Sequence, residues 1–135
     1  MIAILDTGPW VALIDRSESR HTECVQWLKI FSGRLYSTEA VLTEVLYILN
    51  FSITAQCAAL DFVLGSVVEI VPSSTDSLKK TKNLMKKYAD LPMDFADATI
   101  VCLAMQAGMQ NIVTLDQKDF GIYKLPKKKS FTIMP

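Results

Sequence analysis

Short apolar runs alternate along this chain with longer stretches in which apolar positions recur every three or four residues. The first run, Met1 to Leu5, is broken by Asp6-Thr7-Gly8-Pro9, the pattern of a buried strand followed by a turn or a helix start with proline in its first turn. Helical spacing follows in Trp10 to Ile14 and in His21 to Phe31, with Gly33 as a stop, and Leu35-Tyr36-Ser37 predicts a second strand. Ser37 or Thr38 is placed to cap a strongly apolar helix over Glu39 to Asn50, and a further helix spans Ala55 to Leu64 before Gly65. Val67 to Val71 predicts a strand ended by Pro72, and Thr75 to Tyr88 a helix with a polar face. Pro92 precedes a helix from Asp94 to Gln106, stopped by Gly108; Asn111 to Leu115 predicts a strand, and Phe131 to Met134 a last edge strand.

Strands alternating with helices imply an α/β fold with a mostly parallel sheet covered on both faces. Ligand sites in such sheets lie beyond the carboxyl ends of the strands, where Asp6 and Asp116 each follow an apolar run. A chain of 135 residues that is 50% hydrophobic has the size of one domain, over residues 1–135, with no internal repeat or linker. Its apolar runs fall well short of the roughly 18 residues a membrane span needs. The N-terminus carries neither a charged region nor a small-residue cleavage site, so the expected setting is soluble and cytoplasmic, with no membrane partner. Cys24, Cys57 and Cys102 are widely spaced in apolar helical contexts, which argues for buried thiols against a disulfide framework or a zinc site.

Net charge is zero, which argues against nucleic-acid binding by bulk attraction alone. The distribution is uneven. Residues 1–75 hold four basic and eight acidic side chains, a balance of −4, and residues 76–135 hold ten basic and six acidic, a balance of +4. The lysines at 79, 80, 82, 86 and 87 read first as a solvated helix face, and Lys127, Lys128 and Lys129 are open to the same reading or to a local basic surface.

Four carboxylates do not fit a core. Glu44 interrupts the apolar stripe of its helix, with Ala40, Val41, Tyr47 and Ile48 three and four positions away. Asp97 lies over Ile100, Val101 and Ala104 on a helix that otherwise looks buried. Asp94 shares the face of Asp97 and serves equally well as that helix's N-cap. With Asp6 and Asp116 at strand ends, these acids converge, and without a facing arginine they repel one another unless protons are shared or a cation sits among them. Oxygen-only donors favour Mg²⁺ or Mn²⁺, which activates a bound water and neutralises charge developing on a phosphate.

Leu5-Asp6-Thr7, Glu44 within Leu42-Thr43-Glu44-Val45-Leu46, the block Pro92-Met93-Asp94-Phe95-Ala96-Asp97-Ala98, and Thr114-Leu115-Asp116-Gln117-Lys118-Asp119-Phe120 resemble the motifs of PIN-domain proteins, in that family's order, from Met1 to about Phe120. The resemblance implies a three-layer α/β/α sandwich and a Mg²⁺- or Mn²⁺-dependent endoribonuclease. It makes Asp6, Glu44, Asp97 and Asp116 the catalytic acids, with Asp6, Asp97, Asp116 and Asp94 as metal ligands and Asp119 a further acid in the last block. The small single-domain form resembles VapC-type toxins, which implies an RNA substrate, a homodimer and an inhibitory antitoxin protein. A dimer is also expected because Trp10, Trp27, Phe31 and the apolar helices from Glu39 to Leu64 exceed what one side of a small sheet buries.

Thr7 and Ser37 or Thr38 are short hydroxyls beside the expected site and serve either to orient water and phosphate or to cap helices. The sole histidine, His21, lies at a charged helix start and reads as a surface residue, not a general base. Leu5-Asp6-Thr7-Gly8 also spells an aspartic-protease signature, but that fold needs many strands and helical periodicity dominates here. A phosphatase with an aspartyl nucleophile would place an acid two residues after Asp6, where Gly8 stands. A catalytically silent module that binds RNA or protein is the remaining alternative, and the intact acid set argues against it.

Overall fold

A computed structural model describes residues 1–91 and 93–135; Pro92, expected just before a helix, lies outside the described residues. In chain order the elements are β1 (Ile2–Leu5), α1 (Thr7–Ile14), α2 (His21–Ile30), β2 (Arg34–Thr38), α3 (Glu39–Ile48), α4 (Ile53–Leu64) and β3 (Val68–Val71). Then come α5 (Thr75–Lys87), α6 (Phe95–Ala107), β4 (Asn111–Val113), α7 (Gln117–Ile122), β5 (Lys124–Leu125), β6 (Lys129–Ser130) and β7 (Thr132–Met134). Five strands form one sheet in the order β3-β2-β1-β4-β7, every neighbouring pair parallel, and helices flank it in the expected α/β/α arrangement. The Phe131–Met134 run does supply the edge strand, beside β4.

β1 is central because it is covered on both faces: Ala3, Ile4 and Leu5 are fully buried, as a continuous apolar run requires. Around them pack Trp10, Val41, Val45, Leu49, Ile100, Val101 and Ile112. Trp10, expected to help form a dimer face, is wholly inside the monomer core. The chain lays β2 and β3 to one side of β1 and then crosses to place β4 on the other. The crevice between the carboxyl ends of β1 and β4 is therefore the point where strand order reverses, the place such sheets use for ligands. Asp6 and Asp116 follow those two strand ends.

Capping explains where the helices begin. Thr38 accepts from the Val41 N–H and Ser52 from the Ala55 N–H, while Ser74 and Ser77 exchange hydrogen bonds in a capping box. Of the two candidate caps for α3, Thr38 takes the role and the Ser37 hydroxyl donates to Leu5 O at 2.8 Å, tying β2 to β1. Gly108, left-handed at φ 66°, ends α6. Two features escape the periodicity: the one-and-a-half-turn α7 and the antiparallel β5–β6 ribbon, both too short for a repeating pattern to register.

Gly33 sits where β2 starts against the chain's first residue. A Cβ there would lie 1.9 Å from the carbonyl oxygen of Met1, the same oxygen that accepts from Arg34 N–H at 2.9 Å. Gly33→Ala is expected to shift β1 against β2 and to lower stability by roughly 2 kcal/mol or more, in the range of backbone-steric substitutions. Urea unfolding checks this, and an unchanged midpoint would show that the strand start yields without cost.

Candidate active site

Three elements deliver acids to the β1–β4 crevice. Asp6 is the N-cap position of α1, held by its N–H to Val113 O at 2.9 Å, so the sheet ladder itself sets its place. Its side chain is almost fully buried. Asp116 caps α7 by accepting from Asp119 N–H at 3.0 Å, and Asp94 caps α6 by accepting from Asp97 N–H at 2.8 Å. Each cap places the next acid three residues on, in the first helical turn, where the helix dipole favours negative charge. Asp97, Asp116 and Asp119 thereby bring one carboxylate oxygen apiece within 4.8 Å of one another.

Two uncharged residues fix the geometry. Thr114 donates from Oγ1 to Asp6 Oδ2 at 2.7 Å and accepts from Asp116 N–H at 3.0 Å, so a single buried hydroxyl sets the spacing between the two strand-end acids. The Tyr123 hydroxyl donates to Asp97 Oδ2 at 3.2 Å from a ring that is fully buried against Tyr88 and Phe120. Neither role is written in the local sequence. Thr114 stands in its motif as the polar residue closing an apolar run, and Tyr123 carries no local signal.

The electrostatics match that crowding. Burial pushes Asp6 up to about 6 against the lowering effect of the Thr114 hydrogen bond, and the charges of Glu44 and Asp116 add to the rise. Asp97 is pushed up to about 8, first by desolvation and then by Asp94 and Asp6, with the Tyr123 hydrogen bond opposing and Asp116 adding. Asp119 is raised by desolvation and then by Asp116. Burial and the adjoining acids, Asp97 foremost, also hold Tyr123 in its neutral, hydrogen-donating form. Glu44, half-buried on α3, is thus close enough to Asp6 to oppose its ionisation. Asp94 is exposed, and among the described residues the tight group contains Asp119 and not Asp94.

An oxygen-only donor set that resists ionisation in the absence of a counter-charge fits a hard divalent cation, which restores the carboxylate form by its own charge. Asp97, Asp116 and Asp119 are placed to hold one, with Asp6 beside them. The Thr7 hydroxyl, next to Asp6, is buried without a hydrogen-bond partner among the described residues. His21 is engaged elsewhere: its Nδ1 donates to Ala12 O at 2.6 Å, joining α2 to α1. Of the three cysteines, Cys24 and Cys102 are buried as expected, whereas Cys57 lies on the exposed side of α4.

A family model for the PIN domain matches residues 3–127. Among solved structures, the sarcin–ricin loop cleaving toxin VapC20 of Mycobacterium tuberculosis superposes with a TM-score of 0.76 at 23% identity, over 82% of this chain and 86% of that one. VapBC2 from Rickettsia felis, bound to a DNA fragment from its promoter, superposes at 0.69 with 20% identity over the whole of both chains. A toxin–antitoxin complex from Klebsiella pneumoniae gives 0.65 at 22% identity over 96% and 99%. No curated protein sequence matches.

Because Asp6 and Asp97 are raised above the ordinary 3.8, the folded chain holds more protons than the unfolded chain between that value and about 6 and 8. Their protonated forms therefore support the metal-free fold fully below about pH 4, and this support is lost as pH rises through about 6 and then about 8. The metal-free melting temperature is expected to fall between about pH 5 and about pH 8.5. Asp97→Asn should flatten that fall and melt higher at about pH 8 by a few degrees, on the order of 4 °C per kcal/mol relieved. Differential scanning calorimetry with EDTA reads both, and a melting temperature that climbs over this interval would contradict the raised values.

Proposed function

We propose, since this chain belongs to the PIN-domain family, that it is a Mg²⁺- or Mn²⁺-dependent endoribonuclease that hydrolyses RNA phosphodiester bonds as the toxin member of a toxin–antitoxin pair. The observation that carries this reading is the convergence of Asp6, Asp97, Asp116 and Asp119 at the switch point of a parallel sheet, with protons bound where charge would otherwise collect. When bound there, the cation supplies an activated water and charge neutralisation at the scissile phosphate. The chain's own residues do the positioning. Asp97, Asp116 and Asp119 form the ligand group, with Asp6 as a fourth; Thr114 sets the Asp6–Asp116 spacing and Tyr123 orients Asp97. Glu44 reaches the group from α3 and acts through a water. Asp94, expected among the ligands, fixes the start of α6 and with it the place of Asp97.

Removing the carboxylate charge tests the assignment. Asp6→Asn and Asp97→Asn are each expected to cut cleavage of labelled single-stranded or looped RNA by about a hundredfold or more, and Glu44→Gln by less. EDTA should abolish cleavage and added Mn²⁺ or Mg²⁺ restore it. Cleavage that survives EDTA, or equal rates for wild type and both Asp variants, would remove these aspartates from the chemistry.

We further propose a homodimer, formed by α3 and α4 in the cytoplasm. Ile53, Cys57, Leu60 and Leu64 follow one another at four, three and four residues on the outer side of α4, and Ile53 and Leu64 are 72% and 80% exposed. Tyr47 at 74% and Phe51 at 67% extend the same apolar surface from α3 and its end. A second copy of this chain presents the same stripe and covers it symmetrically. Sedimentation should give a dimer for the wild type at micromolar concentration and a monomer for Leu60→Asp/Leu64→Asp; a wild-type monomer would refute the interface. The inhibitory partner would place an arginine among the acids, where a guanidinium binds carboxylates in pairs in place of the cation. Co-expression with the product of the adjacent reading frame should then silence cleavage, and an active, uncomplexed enzyme would speak against it.

A further inference from the structure

An acid cluster that must receive a polyanion has an electrostatic problem, and a chain with zero net charge supplies no long-range attraction to solve it. Five of the fourteen basic side chains instead gather in one place. The carboxyl-terminal half of α5, the outward side of α6 and the β5–β6 ribbon enclose an open groove of about 270 Å³, continuous through Lys87, Leu84 and Met105 with a neighbouring hollow of about 230 Å³. Lys80, Lys87, Lys124, Lys127 and Lys128 line these two hollows over an apolar floor of Leu84, Met105, Leu125 and Pro126, and among the described residues no acidic side chain lines either of them. Lys80 is paired to Asp76 at 3.3 Å, whereas Lys87, Lys124, Lys127 and Lys128 form no ion pair among the described residues.

The ribbon, which with its turn carries three of these five lysines, is built into the wall of the acid pocket. Lys124 donates its backbone N–H to the Tyr88 hydroxyl at 3.0 Å, and the Tyr88 ring, with Lys87 Nζ 5.3 Å above it, packs edge-on against Tyr123, whose hydroxyl meets Asp97. Met105 in the groove lies eight residues along α6 from Asp97, about 12 Å at about 1.5 Å per residue. That is a span of a few nucleotides. Lys127 and Lys128 hold their side chains from two successive left-handed backbone positions, φ 62° and 58°, which non-glycine residues adopt only against a steric penalty.

From this arrangement we propose that the lysine groove of α5, α6 and the β5–β6 ribbon binds the sugar-phosphate backbone of the RNA strand whose scissile phosphate enters the acid pocket. The inference rests on the nuclease reading for the destination of the strand and on the groove's own charge for its grip. Ammonium groups without a carboxylate partner among the described residues, those of Lys87, Lys127 and Lys128 above all, suit a flexible polyanion, neutralising its phosphates while the apolar floor meets its sugars and bases.

The test compares wild type, the triple variant Lys87→Gln/Lys127→Gln/Lys128→Gln, and Lys29→Gln on α2 as a charge control. Each is assayed with a single-stranded RNA of about 20 nucleotides, for cleavage in Mg²⁺ and for binding by fluorescence anisotropy in EDTA. The triple variant should bind at least about tenfold more weakly, with KM raised to match. Its dependence of log affinity on log salt should be shallower by about 2, at about 0.7 for each phosphate left without its lysine on a single strand. Lys29→Gln should match wild type. If the triple variant does not melt like wild type, Lys128→Gln alone should show a slope change of about 0.7. Wild type that cleaves while the triple variant binds with unchanged affinity and slope would overturn the groove and leave the nuclease intact. Wild type that does not cleave, while the triple variant still loses affinity and slope, would overturn the nuclease and leave the groove. A poly-glutamate peptide that binds more tightly than the RNA and no longer binds the triple variant would assign the groove to an acidic protein and overturn the proposal.

Discussion

Everything around the β1–β4 crevice answers one constraint: carboxylates that repel one another are held together by a fold that leaves them little water. An isolated ionised acid at the depth of Asp6 would be unfavourable by several kcal/mol, and charge next to charge compounds it. The protein meets this by three means. It shares protons, as the raised values of Asp6 and Asp97 record; it supplies neutral donors, Thr114 and Tyr123; and it aims helix starts at the acids. A divalent cation would complete the set in one stroke, because its charge favours the ionised carboxylates that burial and mutual repulsion disfavour.

Parallel pairing makes that convergence easy in backbone terms. Every strand of the main sheet runs the same way, so β1 and β4 end at one edge and their following residues meet without distortion. The helix caps then act as spacers. Asp94 and Asp116 each take one N–H of a first turn, and the acid three residues on is delivered at a fixed height above the sheet. Rigid elements, not a flexible loop, set the distances of the site.

Most of the architecture is legible because it is written in periodicity. Buried strands, amphipathic helices and their stops can be read to within a few residues, and the strand-end aspartates and the stripe-breaking Glu44 and Asp97 follow from a simple question about which acid could be ionised where. What stays hidden has a common cause. The Thr114–Asp6 and Tyr123–Asp97 hydrogen bonds join residues 108 and 26 positions apart, and no local pattern encodes such a meeting. Which of Asp94 and Asp119 lies close to Asp97 and Asp116 depends on how the starts of α6 and α7 sit in space, which the spacing of the acids along the chain does not encode. Cys57 departs from the expected burial because an apolar stripe announces burial without saying whether the covering surface belongs to the same chain.

The position of β1 in the middle of the sheet carries a consequence for how the molecule comes into being. β1 cannot complete its ladder until Asn111–Val113 exists to flank it, and Asp6 gains its Thr114 partner only across 108 positions of sequence. At elongation rates of about 5–20 residues per second, the two halves of the acid pocket are made seconds apart. Long-range parallel pairing is also slow to form once the chain is free. Until those later residues have been added, Asp6 lacks both the strand that fixes its backbone and the hydroxyl that holds its side chain, so the pocket assembles only after more than a hundred further residues exist.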